Sequence, residues 1–101
     1  MLTSHATVRT DRPSPYLKQL CKHFRHKHDV TFTDTDGELR FPFGTCRLTA
    51  REGELRLDAE AGDREALAYT ETVVGGHLER FGRRDELSVT WQRNLQGDPT
   101  T

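Results

Sequence analysis

The stretch from residue 30 to residue 59, VTFTDTDGELRFPFGTCRLTAREGELRLDA, decides the fold because apolar and polar side chains alternate along it. Four short runs have a period of two residues, which is the pattern of strands that bury one face and expose the other. The apolar members of these runs are Val30 and Phe32, then Leu39, Phe41 and Phe43, then Cys46, Leu48 and Ala50, and finally Leu55, Leu57 and Ala59. The breaks between the runs are short and mostly contain glycine, which favours antiparallel hairpins. Pro42 has no amide hydrogen to donate to a neighbouring strand, so we predict an edge strand or a bulge at this point.

Amphipathic helices are predicted on both sides of this stretch. Ser14 followed by Pro15 is typical of an N-cap and a first helical position, and this helix is predicted to end near Asp29. Asp63 is a good N-cap for a second helix that runs to about Phe81. Each helix has one apolar stripe, formed by Leu17, Leu20, Cys21, Phe24 and His28 in the first and by Leu67, Thr70, Val74, Leu78 and Phe81 in the second.

Shorter patterns at the two ends complete the predicted order of elements. Residues 6–9 alternate weakly and are predicted as a first strand, while Leu87, Val89 and Trp91 lie on one face of a predicted last strand. The order β-α-β-β-β-β-α-β, with one apolar side to each strand, implies an α+β fold. We expect a two-layer sandwich in which an antiparallel sheet of about five to six strands is covered on one face by two helices.

The composition restricts the classes of protein to which the chain can belong. Its 101 residues suffice for one domain, predicted at 6–92 with flexible tails at 1–5 and 93–101. The balance of 15 Lys and Arg residues against 16 Asp and Glu residues argues against a general polyanion binder. Two cysteines are too few for a disulfide scaffold, the N-terminal residues lack the apolar core of a secretory signal, and no apolar run is long enough to span a bilayer. The expected location is the cytoplasm, without a membrane partner.

Three sequence blocks carry a resemblance to a known family: YLKQLCKHFRHK at 16–27, FPFGTC at 41–46 and HLERF at 77–81, followed by Trp91. With this order and spacing, the chain resembles the bacterial domain-of-unknown-function family 2218. The positions that match the family are Cys21, His23, Lys27, Cys46, His77, Arg80 and Phe81. Members of this family occur as small separate proteins and as an extra domain on siderophore-interacting flavoprotein reductases. The resemblance therefore implies a bacterial protein with a link to iron or siderophore metabolism, and it implies no particular activity.

A metal site is one interpretation of the cysteines and histidines. Cys21 is on the apolar face of the first helix, Cys46 is on the apolar face of a strand, and His77 is on the inner flank of the second helix. If both helices cover the same face of the sheet, these side chains point into one layer, where His23 or His28 could add a fourth ligand for zinc or iron. A thiolate–imidazole pair of either cysteine with His77 would instead serve redox or enzymatic chemistry. The alternative to both is a pair of buried thiols that act as small apolar residues.

An anionic ligand is the other interpretation of the helical residues. From residue 16 to residue 28 there are four Lys or Arg residues and no acidic one. We predict a ligand site at His23, Lys27, His77 and Arg80, because guanidinium and other cationic groups bind carboxylates and phosphates. The alternative is a solvated helix with mobile cations. The expected outer face of the sheet lacks aromatic residues for base stacking, which argues against nucleic acid as a partner.

Gly75 and Gly76 interrupt the second helix, where each glycine costs about 1 kcal/mol relative to alanine. Glycines inside a helix often mark the close approach of another backbone or of a ligand. We therefore expect another part of the protein or a ligand to contact the helix here.

Together, these patterns favour a small binding or accessory domain over an enzyme. Its predicted ligand is a small anion or a metal-containing molecule. Two alternatives stay open: a metal-binding or thiol–histidine redox domain, and a structural module that dimerises through the outer face of the sheet or the edge at Pro42. The sequence distinguishes neither a monomer from a homodimer nor a small ligand from a protein partner.

Overall fold

The alternating runs form one antiparallel sheet in the computed structural model, which describes residues 1–94. The strands are joined by two α-helices and by a short 3-10 helix at Arg83–Asp85. The other elements in chain order are β1 (Leu2–Arg9), α1 (Pro13–Phe24), β2 (Asp29–Phe32), β3 (Asp36–Arg40), β4 (Thr45–Arg51), β5 (Glu54–Ala61), α2 (Arg64–Phe81) and β6 (Gln92–Asn94). The strands are arranged as β2-β3-β4-β5-β1-β6, and each neighbouring pair is antiparallel. The predicted α+β class and the predicted order of elements are confirmed.

The core lies between the sheet and the two helices, because the apolar members of the alternating runs face the same side. Leu48, Leu55 and Leu57 in the centre of the sheet are at most 1% exposed. The helices contribute Leu17, Leu20, Cys21 and Phe24 from α1 and Leu67, Val74 and Leu78 from α2. A buried leucine contributes about 1.5–3 kcal/mol relative to an exposed one, so this single layer accounts for most of the favourable burial. The opposite face of the sheet carries polar and charged side chains.

The start of each helix follows its local hydrogen bonds. Asp63 is the N-cap of α2, as predicted, and its Oδ1 accepts a 2.8 Å hydrogen bond from the amide of Ala66. α1 starts earlier than predicted, at Pro13, since the hydroxyl of Ser14 donates to the carbonyl of Asp34 at 2.6 Å instead of capping the helix. Among the described residues, no helix is long and apolar enough to cross a membrane.

α1 ends at Phe24 and not near Asp29, where its end was expected. The amide of His28 donates to the carbonyl of Phe24 at 2.9 Å, which closes the turn after the helix. Asp29 is already the first residue of β2, where it pairs with Arg40. The helix is therefore shorter than predicted, because β2 begins at Asp29 to pair with β3.

β1 begins at Leu2, so residues 2–5 belong to the sheet and not to the predicted flexible tail. Leu2 pairs with Ala61, and Ser4 pairs with Ala59 of β5. Both Leu2 and Ser4 are buried, because the period of two continues to the N-terminus on the same face. The weak alternation of the sequence therefore understates the length of this strand.

The segment 86–91, predicted as a strand, does not pair with the sheet. Its alternating residues Leu87, Val89 and Trp91 are half-buried against the core. Their alternation therefore arises from packing and not from a hydrogen-bonded ladder. β6 follows this segment and pairs with β1. The predicted C-terminal tail therefore starts too early at residue 93, and its remainder from residue 95 lies outside the described residues.

Gly75 lets this segment approach α2. A Cβ atom at Gly75 would lie 3.0 Å from Nε1 of Trp91 and 3.4 Å from Cγ1 of Val89. A side chain at this position would therefore have to displace the segment. Gly76 faces open space. The close approach predicted from the two glycines is confirmed at Gly75, where a later part of the same chain makes it.

Pro42 lies in a turn and not in a strand. β3 ends at Arg40, and the amide of Phe41 donates to the carbonyl of Gly44 at 2.8 Å to close the turn. β3 is also an interior strand between β2 and β4, so the predicted edge or bulge at Pro42 is wrong. Because proline has no N–H to donate, the chain leaves the ladder before reaching it.

Candidate functional site

α1 and α2 pack beside each other in antiparallel directions, and a groove opens between them toward the start of α1. The ring of His77 lies 4.8 Å from that of His23 and 4.9 Å from that of Phe24, measured between centroids. Farther along, the hydroxyl of Tyr16 donates to Asp85, just beyond the end of α2. Residues earlier in α1 therefore contact residues later in or just after α2, which shows that the two helices are antiparallel. We call the space between these residues the interhelical groove.

One face of α1 supplies its side of the groove. Arg12, Tyr16, Gln19 and His23 are spaced by four, three and four residues, so they lie in a row along one side of the helix. This row is adjacent to the apolar stripe that packs on the sheet, which explains why Tyr16 is buried while its neighbours in the row are exposed. The groove is therefore a direct result of how the apolar stripe orients the helix.

The histidine end of the groove consists of His23, His77 and Arg80. Nδ1 of His77 lies 2.7 Å from the carbonyl oxygen of Val73. Since a carbonyl only accepts, Nδ1 carries the proton and donates, which leaves Nε2 as an acceptor in the neutral ring. His23 is exposed, but desolvation against the rings that it contacts lowers its pKa below the ordinary value, and the neighbouring charges of His77, His26 and Arg80 lower it further. The lowered pKa disfavours the charged form of His23, whose neighbours include the fixed positive charge of Arg80.

The fourth residue of the predicted ligand site, Lys27, lies outside this cluster. It is exposed in the turn that follows α1, where its amide donates to the carbonyl of Phe24 at 3.1 Å. Within residues 1–94, its side chain has no ion pair or hydrogen bond to the other three residues. The structure therefore brings together three of the four predicted ligand residues.

The arginine end of the groove consists of Arg12, Arg83 and Arg84. Together with Arg80 they line an open cavity of about 630 Å³, whose other walls include Tyr16 and Phe81. The acidic residue in this lining is Asp85, which holds the hydroxyl of Tyr16. That hydrogen bond, followed by burial, raises the pKa of Tyr16. Sequence reasoning missed Arg12 and Tyr16 as site residues, although their helical spacing from His23 was a readable signal.

A family described as "Uncharacterized protein conserved in bacteria (DUF2218)" matches residues 5–92. The chain belongs to this family. The resemblance expected from the three sequence blocks is thereby confirmed. The chain is also similar to PA4090 from Pseudomonas aeruginosa, whose NMR structure superimposes with a TM-score of 0.78 at 33% sequence identity, over 91% of this chain and 96% of that one. No curated protein matches the chain.

In this DUF2218 domain the two cysteines are core residues. Cys21 and Cys46 are free thiols with no exposed surface. Burial raises the pKa of Cys21 to about 11, and it raises the pKa of Cys46 further. Sγ of Cys46 lies 3.7 Å from the carbonyl oxygen of Arg47 and donates weakly to it. Cys21 packs so close to Gly37 that a Cβ atom there would lie 2.8 Å from its sulfur.

The predicted metal set of Cys21, His23, Cys46 and His77 is divided by the structure. The thiols lie in the core, whereas the two imidazole rings contact each other at a tilt of 41° between the helices. Among residues 1–94, no group of three or more His, Cys, Asp or Glu side chains could hold a metal ion. His28, the other candidate for a fourth ligand, packs its ring 4.8 Å from that of Phe41.

Proposed function

We propose that this DUF2218 domain binds a small anionic ligand at the histidine end of the interhelical groove. His23, His77 and Arg80 are its binding residues, with Lys27 at the rim. The observation that carries this proposal is the convergence of three nitrogen-rich side chains from two helices without a carboxylate among them. Within residues 1–94, Arg80 takes part in no ion pair.

The chemistry of these groups suits a carboxylate or phosphate. The guanidinium group of Arg80 can donate two parallel hydrogen bonds to an oxyanion. Desolvation, and after it the neighbouring positive charges, lower the pKa of His23 and so disfavour its charged form in the free protein. A bound anion would reverse that effect and favour the charged imidazole, which then donates a charge-assisted hydrogen bond worth about 1.5–3 kcal/mol.

Other readings of the chain have less support. A thiol–histidine enzyme needs a reactive thiolate, whereas burial raises the pKa of both thiols. A zinc or iron site needs ligands that converge, and the cysteines and histidines occupy different regions. A role in iron or siderophore metabolism and a cytoplasmic location remain part of the proposal, and they rest on the family resemblance and on the composition.

An NMR titration with sulfate tests the proposal, because sulfate keeps its charge across the relevant pH range. We expect saturable shifts of amide signals around His23 and His77. Replacing Arg80 by Gln should weaken binding about tenfold, which corresponds to about 1.4 kcal/mol. Arg56→Gln, which removes one positive charge from the outer face of the sheet, is the matched control and should leave the affinity unchanged. Shifts that do not saturate, or that are the same in Arg80→Gln, would rule out this site.

A further inference from the structure

We infer that the arginine end of the interhelical groove is a second oxyanion subsite, so that the ligand is a small polyanion with at least two oxyanion groups. This inference rests on the proposed function, because it assigns the rest of the same ligand. The chemical class is a linear di- or triphosphate or a polycarboxylate, since a guanidinium group binds both kinds of oxyanion in the same forked geometry.

The charge of the cavity supports this inference. Arg12, Arg80, Arg83 and Arg84 line it, and Asp85 is opposed to them, so four positive charges face one negative charge and leave a surplus of three. In the part of the chain that the structure describes, none of these four arginines takes part in an ion pair. A ligand with a single charge would leave most of this surplus uncompensated.

The arginine end is also held in place before any ligand binds. The hydroxyl of Tyr16 donates to Asp85 and so fastens the 3-10 helix to α1. The amide of Leu87 donates to the carbonyl of Gly82 at 3.1 Å, and its side chain packs directly against Gly82. These contacts fix the backbone that carries Arg83 and Arg84. Pre-organised donors lose less conformational entropy on binding than donors on a mobile loop.

The cations are distributed along the groove and not gathered at one point. Along α1, Tyr16 at the arginine end is seven residues from His23, which corresponds to a rise of about 10 Å. Arg80 belongs to both regions, because it lines the cavity and its charge lowers the pKa of His23. An elongated polyanion can therefore contact the histidine pair and the arginine end together, whereas a monoanion can contact only one of them.

The test compares the affinities of phosphate, pyrophosphate, tripolyphosphate and citrate by calorimetry at one ionic strength. The key variant is the double substitution Arg83→Gln with Arg84→Gln. Its matched control is Arg47→Gln with Arg56→Gln, which removes the same charge from the outer face of the sheet. We expect tripolyphosphate or citrate to bind at least about tenfold more tightly than phosphate. The groove variant should lose this gain and bind phosphate within about twofold of the wild type, whereas the control variant should retain the gain.

The outcomes separate the two proposals. Equal affinities for phosphate and the polyanions, or an equal loss in both double variants, would overturn the second subsite and leave the histidine end intact. Failure of all four probes to bind would overturn the proposed function as well. If a single-stranded oligonucleotide bound through Arg83 and Arg84 more tightly than tripolyphosphate, the small-molecule class would be wrong.

Discussion

The outer face of the sheet and the interhelical groove both carry arginines, but only the sheet neutralises them. Nε of Arg40 lies 2.8 Å from Oδ2 of Asp29, which is its direct partner in the ladder. Arg47 is in turn opposite Glu38, and its Nε lies 3.2 Å from the carboxylate. Hydrogen bonds from Arg40 lower the pKa values of both Asp29 and Glu38, and the hydrogen bond from Arg47 lowers that of Glu38 further. In the groove, by contrast, Arg80, Arg83 and Arg84 have no ion pair among residues 1–94.

This difference shows that a near-zero net charge need not mean an even distribution of charge. The formal charge of −1 argues against a general polyanion binder. However, strand register places acidic residues opposite arginines on the sheet, so many of the carboxylates there are already paired with arginines. The surplus of cations remains between the helices, which is where a small anion would be attracted.

The largest expected effect on stability comes from an ion pair whose carboxylate is mostly buried, in contrast to the exposed pairs of the sheet and the unpaired arginines of the groove. Arg93 on β6 binds Glu71 on α2 through both carboxylate oxygens, at 2.9 and 3.1 Å, and the Glu71 side chain is only 10% exposed. Arg93→Ala would leave this carboxylate buried without a partner. We expect it to lower the free energy of unfolding by about 2–3 kcal/mol, somewhat below fully buried pairs because Arg93 itself is partly exposed.

Glu71→Gln is the companion variant for this pair. Arg93 could then reach water, so we expect a smaller loss of about 1 kcal/mol. Urea denaturation of both variants measures the two values. An equal loss in both would show that burial of Glu71 does not set the cost.

A smaller effect is expected on the outer face of the sheet. Glu38→Gln removes the carboxylate that Arg40 and Arg47 share, and since these groups reach solvent the loss should be about 0.5–1 kcal/mol. Sulfate binding in the groove should not change. A loss above 2 kcal/mol would mean that the exposed pairs are not weak, and the contrast with Arg93 would fail.

In the groove, we expect the loss of an arginine to increase the stability of the protein slightly and not to decrease it. Arg84→Gln removes a cation that repels its neighbours and has no partner among the described residues, so stability should stay within about 0.5 kcal/mol of the wild type and shift upward. Denaturation at low salt measures this change, and added salt should reduce it. A clear destabilisation would indicate an attractive contact of Arg84 and contradict the picture of uncompensated charge.

The finest test of the contrast is the titration of His23. Arg80→Gln removes a positive neighbour and should raise the pKa of His23 toward its ordinary value of 6.5. NMR of the ring signals measures this pKa. Because folding lowers the pKa of His23, the residue contributes stability that is present above pH 6.5 and is lost as the pH falls through the lower folded value. An unchanged pKa of His23 in Arg80→Gln would mean that the charge of Arg80 has no electrostatic effect on His23.

Much of the fold could be predicted, because its signals are local. The alternation in residues 39–59 identifies the central strands, although the strand predicted at 39–43 ends earlier, before Pro42. Asp63 identifies the start of α2. The prediction failed at 86–91, where alternating side chains pack without forming a ladder. A period of two reports which side chains are buried, not which groups accept the backbone hydrogen bonds.

The candidate site could be predicted only in part, for a related reason. His23, His77 and Arg80 were identified from residue type and from the family resemblance. The rings of His23 and His77 lie 4.8 Å apart and Arg80 follows His77 by three positions on α2, while their role as ligand residues stays a prediction. Arg12 and Tyr16 were missed because their partners on the other side of the groove are about 70 positions away in the chain. The metal hypothesis grouped the cysteines with the histidines because the sequence places all four on helices and strands that face one layer. The sequence does not show how deeply each side chain is buried in that layer.

The sequence by itself therefore determined the class of fold, the order of the elements and the faces that are buried, because those properties depend on neighbouring residues and on the hydrophobic effect. Only the tertiary structure decided which cations are neutralised. Strand register places Arg47 opposite Glu38, whereas antiparallel packing of two helices brings Arg12 and Arg84 to one cavity. Coulomb interactions depend on distance in space, and residue spacing along the chain does not supply that distance.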